Sequence, residues 1–404
     1  MKNLIALLTL VLFCPQLVFA EQLMPVFNES GPDADSKFCA SKGYPVSWKY
    51  AKDPCYRVGT FTHYDELMPT HVIAANGPVT ELVYADVDDI DPELDDIANV
   101  ILEDHPTTSL IIWRDGKVQK EVYQYARKDT DLFHSFSMHK TFTGLLIDQA
   151  IQTGLVDHVD DPIVNYLPSL SKTGWKDRTV FHALTMTSGV RWDDKVFYSG
   201  LFFKDADRIS LIRKEFSRFK KDAGKRYIYT DVNTFLLGLI SERVFEKPYA
   251  EIFSEKIWQK IGAEADAEIL TTKSGQALMG ASFRARPRDY LRLGLMILNE
   301  GVNHAGEQVI SKDWIAALYA DTEKVDACPM VPRCNAGVGK ERGYSYQTWV
   351  PAQDVIMASG RYGQYIIVFR KTNTVIVITS VDGNKKYPKR DHIKKLISVA
   401  SAEQ

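Results

Sequence analysis

Near the C-terminus two apolar runs, Tyr365-Ile366-Ile367-Val368-Phe369 and Val375-Ile376-Val377-Ile378-Thr379, flank the polar stretch Lys371-Thr372-Asn373-Thr374. Runs of β-branched and aromatic residues split by a short polar turn spell an antiparallel hairpin. Residues 345–350 and 355–358 read as shorter strands ahead of it, and 391–402 as a closing helix. Earlier, Thr108-Ser109-Leu110-Ile111-Ile112-Trp113 forms another strand. The turn Arg114-Asp115-Gly116-Lys117 leads it into a partner at 118–125. A helix over 86–103 shows Ile90, Leu94, Ile97 and Val100 at spacings of three and four. Another runs over 137–152 and stops at Gly154. Residues 155–300 are mostly helical, with periodic helices at 234–246 and 288–299. This order predicts an α+β fold: an antiparallel sheet flanked by helices (86–144 and 286–404), interrupted by a mostly helical domain (145–285). Residues 21–85, rich in Pro, Gly, Asp and aromatics, are expected to wrap that body irregularly.

The first twenty residues read differently. Lys2, an apolar run over 4–13 and Val18-Phe19-Ala20 before Glu21 have the layout of a secretory signal peptide. The run is too short to span a bilayer and no other stretch reaches ~20 apolar residues. The chain is therefore expected to be periplasmic or secreted after cleavage near Ala20-Glu21, and not an integral membrane protein. Cys14 falls in the signal, leaving Cys39, Cys55, Cys328 and Cys334. In an oxidising compartment these imply two disulfides out of three possible connectivities. Short-range pairing, Cys39–Cys55 and Cys328–Cys334, is the expected one. No C-x-x-C or C…H-x-x-x-H spacing offers a zinc site. The net charge of −3 over 404 residues gives no basic excess that would point to nucleic acid. A small-molecule or peptide-like partner is the expectation, with no metal or organic cofactor implied.

For chemistry, the chain has no G-x-S-x-G elbow, no H-E-x-x-H pair and no Gly-rich phosphate loop. It has Ser-x-x-Lys three times: Ser137 with Lys140, Ser169 with Lys172, and Ser217 with Lys220. Residues three apart on a helix share a face. A lysine held there in a partly dry site can activate the serine hydroxyl. A serine opening a helix also meets free backbone N–H groups that favour an oxyanion. Chance alone supplies about one or two such matches in a chain this long, so context decides. Ser169 sits in a polar loop and Ser217 in a basic, surface-like helix. Only Ser137 opens an apolar helix, where the motif by itself reads equally well as an N-cap serine. His134 and His139 flank Ser137, but their spacing turns His139 away from it. The basic run over 214–225 reads as a solvated face.

The wider pattern is more specific. Ile112-Trp113-Arg114-Asp115-Gly116-Lys117 is followed by Phe133-His134-Ser135-Phe136-Ser137-Met138-His139-Lys140-Thr141-Phe142-Thr143. Asp160-Asp161-Pro162, Tyr166-Leu167-Pro168, Leu184-Thr185-Met186-Thr187-Ser188-Gly189 and Arg286-Pro287-Arg288-Asp289-Tyr290 come after in order. Together they resemble the serine β-lactamase and penicillin-binding-protein superfamily, over roughly 90–400. The similarity is to its class C-like branch of esterases, D-aminopeptidases and 6-aminohexanoate-dimer hydrolases.

The resemblance implies an acyl-enzyme mechanism with Ser137 as nucleophile and Lys140 as its proton partner. Tyr229-Thr230-Asp231 stands where the family has Tyr-x-Asn, making Tyr229 the proton relay, its pKa lowered by cationic Lys140. Asp231 replaces an amide that would donate to a substrate carbonyl. The family's third element, Lys-Thr-Gly, has a literal copy at Lys172-Thr173-Gly174 that comes too early and reads as a decoy. Chain order points instead to Ala358-Ser359-Gly360-Arg361-Tyr362-Gly363-Gln364, where Gly360 keeps the backbone slim. The Arg361 amide would share the oxyanion hole with that of Ser137. Arg191-Trp192-Asp193-Asp194 and Tyr198 lie where this branch has a substrate-pocket loop, making Trp192 a candidate binding residue. Ala358 replaces the lysine that holds substrate carboxylates, which favours the esterase and 6-aminohexanoate-dimer hydrolase type. A β-lactamase or D-alanyl-D-alanine carboxypeptidase is the alternative, and a non-catalytic exported binding protein of the same fold is the third reading.

Overall fold

The computed structural model describes residues 22–32, 38–39, 45–219, 223–319, 343–383 and 388–402. The strands, in chain order, are β1 (Val26–Phe27), β2 (Thr70–Ile73), β3 (Thr107–Arg114), β4 (Lys117–Tyr123), β5 (Phe133–His134), β6 (Ala267–Leu270), β7 (Phe283–Ala285), β8 (Tyr344–Ser345), β9 (Thr348–Ala352), β10 (Val355–Gly360), β11 (Gln364–Phe369) and β12 (Thr374–Ser380). The helices are α1 (Arg57–Thr62), α2 (Pro92–Asp104), α3 (His139–Gln152), α4 (Ile163–Tyr166), α5 (Val180–Leu184), α6 (Asp194–Phe202), α7 (Arg208–Glu215), α8 (Asp231–Phe245), α9 (Tyr249–Phe253), α10 (Pro287–Leu298), α11 (Lys312–Tyr319) and α12 (Pro388–Ala400).

Eight strands form the main sheet in the order β1-β4-β3-β12-β11-β10-β9-β8. All neighbours are antiparallel except β1, which lies parallel to β4. The apolar runs are the reason β11 and β12 sit centrally, because every residue of both is buried. Ile376 lies opposite Ile112 and Val377 opposite Ile111. Successive side chains enter opposite faces. On one face Leu110, Ile112, Ile367, Ile376 and Ile378 pack under Leu94, Ile97 and Ile101 of α2 and Ile393, Leu396 and Ile397 of α12. On the other, Ile111, Val375 and Val377 join the larger core with Leu291 and Leu293 of α10. Each such buried aliphatic side chain contributes about 1.5–3 kcal/mol. Gly294 lets α10 press close, since a Cβ there would lie 2.7 Å from Val375 Cγ1.

A second sheet, β2-β6-β7-β5, was not anticipated. Its strands have two to four residues each, too short for alternation to stand out. It draws β2 from the N-terminal segment and β6 and β7 from the stretch read as helical. β1 likewise gives the N-terminal segment an edge position. Other elements appear near their expected places. The strand expected over 345–350 is divided into β8 and β9 by Tyr346 and Gln347, both with positive φ. Ser217, expected within a basic helix, lies beyond the end of α7. Cys39 and Cys55 form the expected disulfide, with Cα atoms 4.9 Å apart. Cys328, Cys334 and the expected signal peptide lie outside the described residues. Among those described, no helix is long and apolar enough to cross a membrane.

Candidate active site

β5 delivers the chain to Ser137. The Ser135 amide donates to the Phe283 carbonyl at 2.8 Å, and Phe136 then turns with φ 46°. A left-handed conformation at a non-glycine residue costs about 1–3 kcal/mol and persists only where packing enforces it. The Phe136 ring lies edge-on to His134 at 4.4 Å and to Phe61 at 4.8 Å, and against Tyr362 at 5.1 Å. Phe136–Met138 forms a 3-10 turn running directly into α3. The expected helix start at Ser137 is therefore this tighter turn. Ser137 sits at the head of the helix, where unpaired N–H groups favour developing negative charge.

Lys140 follows one turn on, its side chain 1% exposed. Its Nζ donates to Ser137 Oγ at 3.3 Å and to the Gly280 carbonyl at 2.8 Å, and pairs with Asp231 Oδ1. Burial pulls the ammonium pKa down, but Asp231 and Tyr229 outweigh it and hold Lys140 above the ordinary lysine range. Asp231 opens α8, where the helix terminus favours a carboxylate. Its Oδ2 accepts from the Tyr198 hydroxyl on α6 at 2.5 Å. Burial and then Asp231 push the Tyr198 phenol well up.

Tyr229, just before α8, completes the cluster. Lys140 Nζ lies 5.2 Å from its ring centroid. The ring stacks on Trp349 at 5.8 Å and meets Tyr344 edge-on at 5.9 Å. The expected lowering of its pKa needs correction. Burial raises it, Lys140 and Ser137 pull it back, and the phenol stays above its ordinary value.

β10 ends at Gly360, and Arg361-Tyr362-Gly363 turns the chain into β11, with φ of 67° at Tyr362 and 88° at Gly363. A Cβ on Gly360 would come 2.2 Å from the Ser135 carbonyl oxygen. The strand end bearing Arg361 thus abuts the segment bearing Ser137, although 224 residues separate them. The Arg361 guanidinium is exposed and lies 5.1 Å from the Tyr362 ring centroid. Ala358 is buried in β10.

Other candidates have different surroundings. Trp192 packs on Phe197 at 5.1 Å and Phe216 at 5.4 Å, while Tyr198 joins the Lys140 network. His139 is a buried structural residue, with Nε2 2.9 Å from the Tyr249 hydroxyl and Nδ1 accepting from the Ser282 amide at 3.4 Å. In the literal Lys172-Thr173-Gly174, Thr173 caps a short 3-10 turn by accepting from the Trp175 amide. No group of His, Cys, Asp and Glu among the described residues is placed to hold a metal ion. Two neighbours carried no sequence signal. One is the Gly280 carbonyl, a backbone group. The other is Tyr50 of the N-terminal segment, whose ring lies 6.2 Å from Tyr362 and whose hydroxyl accepts from that of Tyr64 at 2.8 Å.

The beta-lactamase family pattern matches residues 94–403. The chain is 24% identical over 353 residues to a 6-aminohexanoate-dimer hydrolase of Paenarthrobacter ureafaciens, covering 84% of this chain and 88% of that protein. A solved structure from Bacillus anthracis, provisionally named a 6-aminohexanoate-dimer hydrolase, superposes with a TM-score of 0.73 at 20% identity, over 88% of this chain and 98% of the other. A family VIII carboxylesterase gives a TM-score of 0.60 at 15% identity, over 79% of this chain and 99% of the other. With the pattern covering most of its length and the α+β fold shared with these structures, the chain belongs to the beta-lactamase family, as a hydrolase similar to 6-aminohexanoate-dimer hydrolases and carboxylesterases.

Proposed function

We propose that the protein is an exported serine hydrolase that cleaves a small ester or amide through an acyl-Ser137 intermediate. One observation carries this reading: Lys140 Nζ stands 3.3 Å from Ser137 Oγ at the head of α3, with Tyr229 beside both. Ser137 Oγ attacks the substrate carbonyl as its proton passes into the Lys140–Tyr229 pair. The Ser137 and Arg361 amides hold the oxyanion. The same pair returns a proton to the leaving group, and water then frees the acyl chain with the proton path reversed. The substrate would be a small molecule. The apolar leader over 4–13 and the Cys39–Cys55 disulfide support export to an oxidising compartment.

The buried methyl of Ala358 supports an esterase or amidase over a β-lactamase or D-alanyl-D-alanine carboxypeptidase, because it offers no cation to a substrate carboxylate. Intact-mass analysis after a fluorophosphonate and, separately, a penicillin tests both readings, with Ser137→Ala alongside. We expect one fluorophosphonate adduct, absent from Ser137→Ala, and no penicillin adduct. A penicillin adduct on Ser137 would favour the cell-wall reading. No adduct with either reagent would overturn the hydrolase assignment in favour of a binding protein.

A further inference from the structure

An amine has two N–H bonds and a lone pair, whereas an ammonium has three N–H bonds and no lone pair. Three acceptors surround Lys140 Nζ: Ser137 Oγ at 3.3 Å, the Gly280 carbonyl at 2.8 Å and Asp231 Oδ1. Ser137 Oγ can also donate, so an amine would serve all three partners as well. The buried Asp231 carboxylate paired with Nζ nevertheless favours the ammonium, which has no lone pair with which to take the Ser137 proton. An amide at 231 would leave a buried cation without a counter-charge, a state that burial strongly disfavours. Lys140 faces Asp231 from α8, Tyr229 from the segment before α8 and His139 from its own helix, and around these partners lie Tyr198 of α6 on Asp231 and Tyr227 and Tyr344 on Tyr229. The tyrosines are pushed up and His139 is pushed down by burial. All are therefore neutral near pH 7, which leaves Asp231 as the anion in this group.

We propose, on the reading of this site as an acyl-serine hydrolase, that Asp231 is a positioning residue that locks Lys140 as an ammonium in the resting enzyme. Acylation then waits for proton loss from the Lys140–Tyr229 pair. The rate rises with pH over a higher range than it would with an amide at 231. Tyr198 tunes this lock through its hydrogen bond to the other carboxylate oxygen.

The test measures the pH dependence, from 5 to 10.5, of the rate at which a fluorophosphonate labels Ser137 in wild type, Asp231→Asn and Tyr198→Phe. In parallel, 13Cε-lysine NMR reads the charge on Lys140, with its resonance assigned by its loss in Lys140→Met. For Asp231→Asn we expect the acidic limb to move down by at least one pH unit. This corresponds to about tenfold faster labelling below the midpoint, and Lys140 titrates correspondingly earlier. Tyr198→Phe, which leaves the charge but removes the hydrogen bond from Oδ2, should move the limb up. An unshifted or upward-shifted limb in Asp231→Asn overturns the proposal. If that variant does not fold, an unshifted or downward-shifted limb in Tyr198→Phe does so. A wild-type chain that never labels defeats the hydrolase reading instead, and the NMR titration still decides the charge state of Lys140.

Discussion

Phe136 and Tyr362 both adopt left-handed backbone conformations, and their rings lie 5.1 Å apart. Phe136 immediately precedes Ser137, and Tyr362 immediately follows Arg361. Phe136 therefore sets the peptide plane that carries the Ser137 amide, Tyr362 packs on it from the turn that carries Arg361, and neither can relax without disrupting the packing of the other. Tyr362→Ala should lower kcat by about tenfold to a hundredfold, within the range for loss of one oxyanion donor. Tyr362→Phe, which keeps the ring, should stay near wild type. Steady-state kinetics on an aryl ester, with kcat and KM separated, checks this.

Gly360 offers a second test of the same junction. A methyl group there would clash with the Ser135 carbonyl oxygen at 2.2 Å, a backbone atom rather than the end of a flexible side chain. Gly360→Ala should cost about 1–3 kcal/mol of stability, as overpacking does. It should also slow fluorophosphonate labelling of Ser137 by tenfold or more. Normal labelling in a folded variant would show that the strand end does not set the position of Ser137.

Stability should fall in acid, and His134 is one cause. It is buried against Tyr64 at 4.7 Å, and burial, with Arg284 nearby, pushes its pKa down to about 3. Between the unfolded value of about 6.5 and this folded value, the unfolded chain binds the additional proton. Its contribution is thus fully present above about 6.5 and declines on acidification by about 1.4 kcal/mol per pH unit. Asp289, raised to about 6 by burial, works in the opposite direction, so the comparison must be between variants. Urea unfolding of His134→Phe from pH 4 to 7 should show a slope less steep by that amount.

The disulfide anchors the segment that carries Tyr50. Closing a loop with a sequence separation of 16 contributes about 3 kcal/mol in the chain-entropy view. The double variant Cys39→Ser, Cys55→Ser should lose about that much in equilibrium unfolding. An unchanged midpoint would mean that packing of Tyr50 and Tyr64 alone holds the segment.

The main sheet was legible because β11, β12 and β3 are buried on both faces and therefore spell continuous apolar runs. Ser137, Lys140, Tyr229 and Gly360 were legible because side-chain chemistry, or its absence, is written into residue type. The second sheet was not, since three-residue strands such as β7 carry no usable period. The Gly280 carbonyl was hidden for a different reason: any residue would present the same oxygen. Asp231 was visible as a departure from the family pattern. Its ion pair with Lys140 depends on how α3 and α8 pack, which no local pattern records.

β12 lies between β3 and β11, so the centre of the main sheet is filled by a strand that follows all the other described strands in sequence. During synthesis the β3–β4 hairpin emerges more than two hundred residues earlier, with the Leu110–Ile112 edge unpaired. Long-range closures of this kind are slow, and open apolar edges are sticky while they wait. A chain stopped before residue 374 would retain Ser137, Lys140, Tyr229 and Arg361 but lack the strand that joins its two halves. Truncated products should therefore aggregate and remain inert, and the proposed catalytic centre should mature only once residues 374–380 have been made.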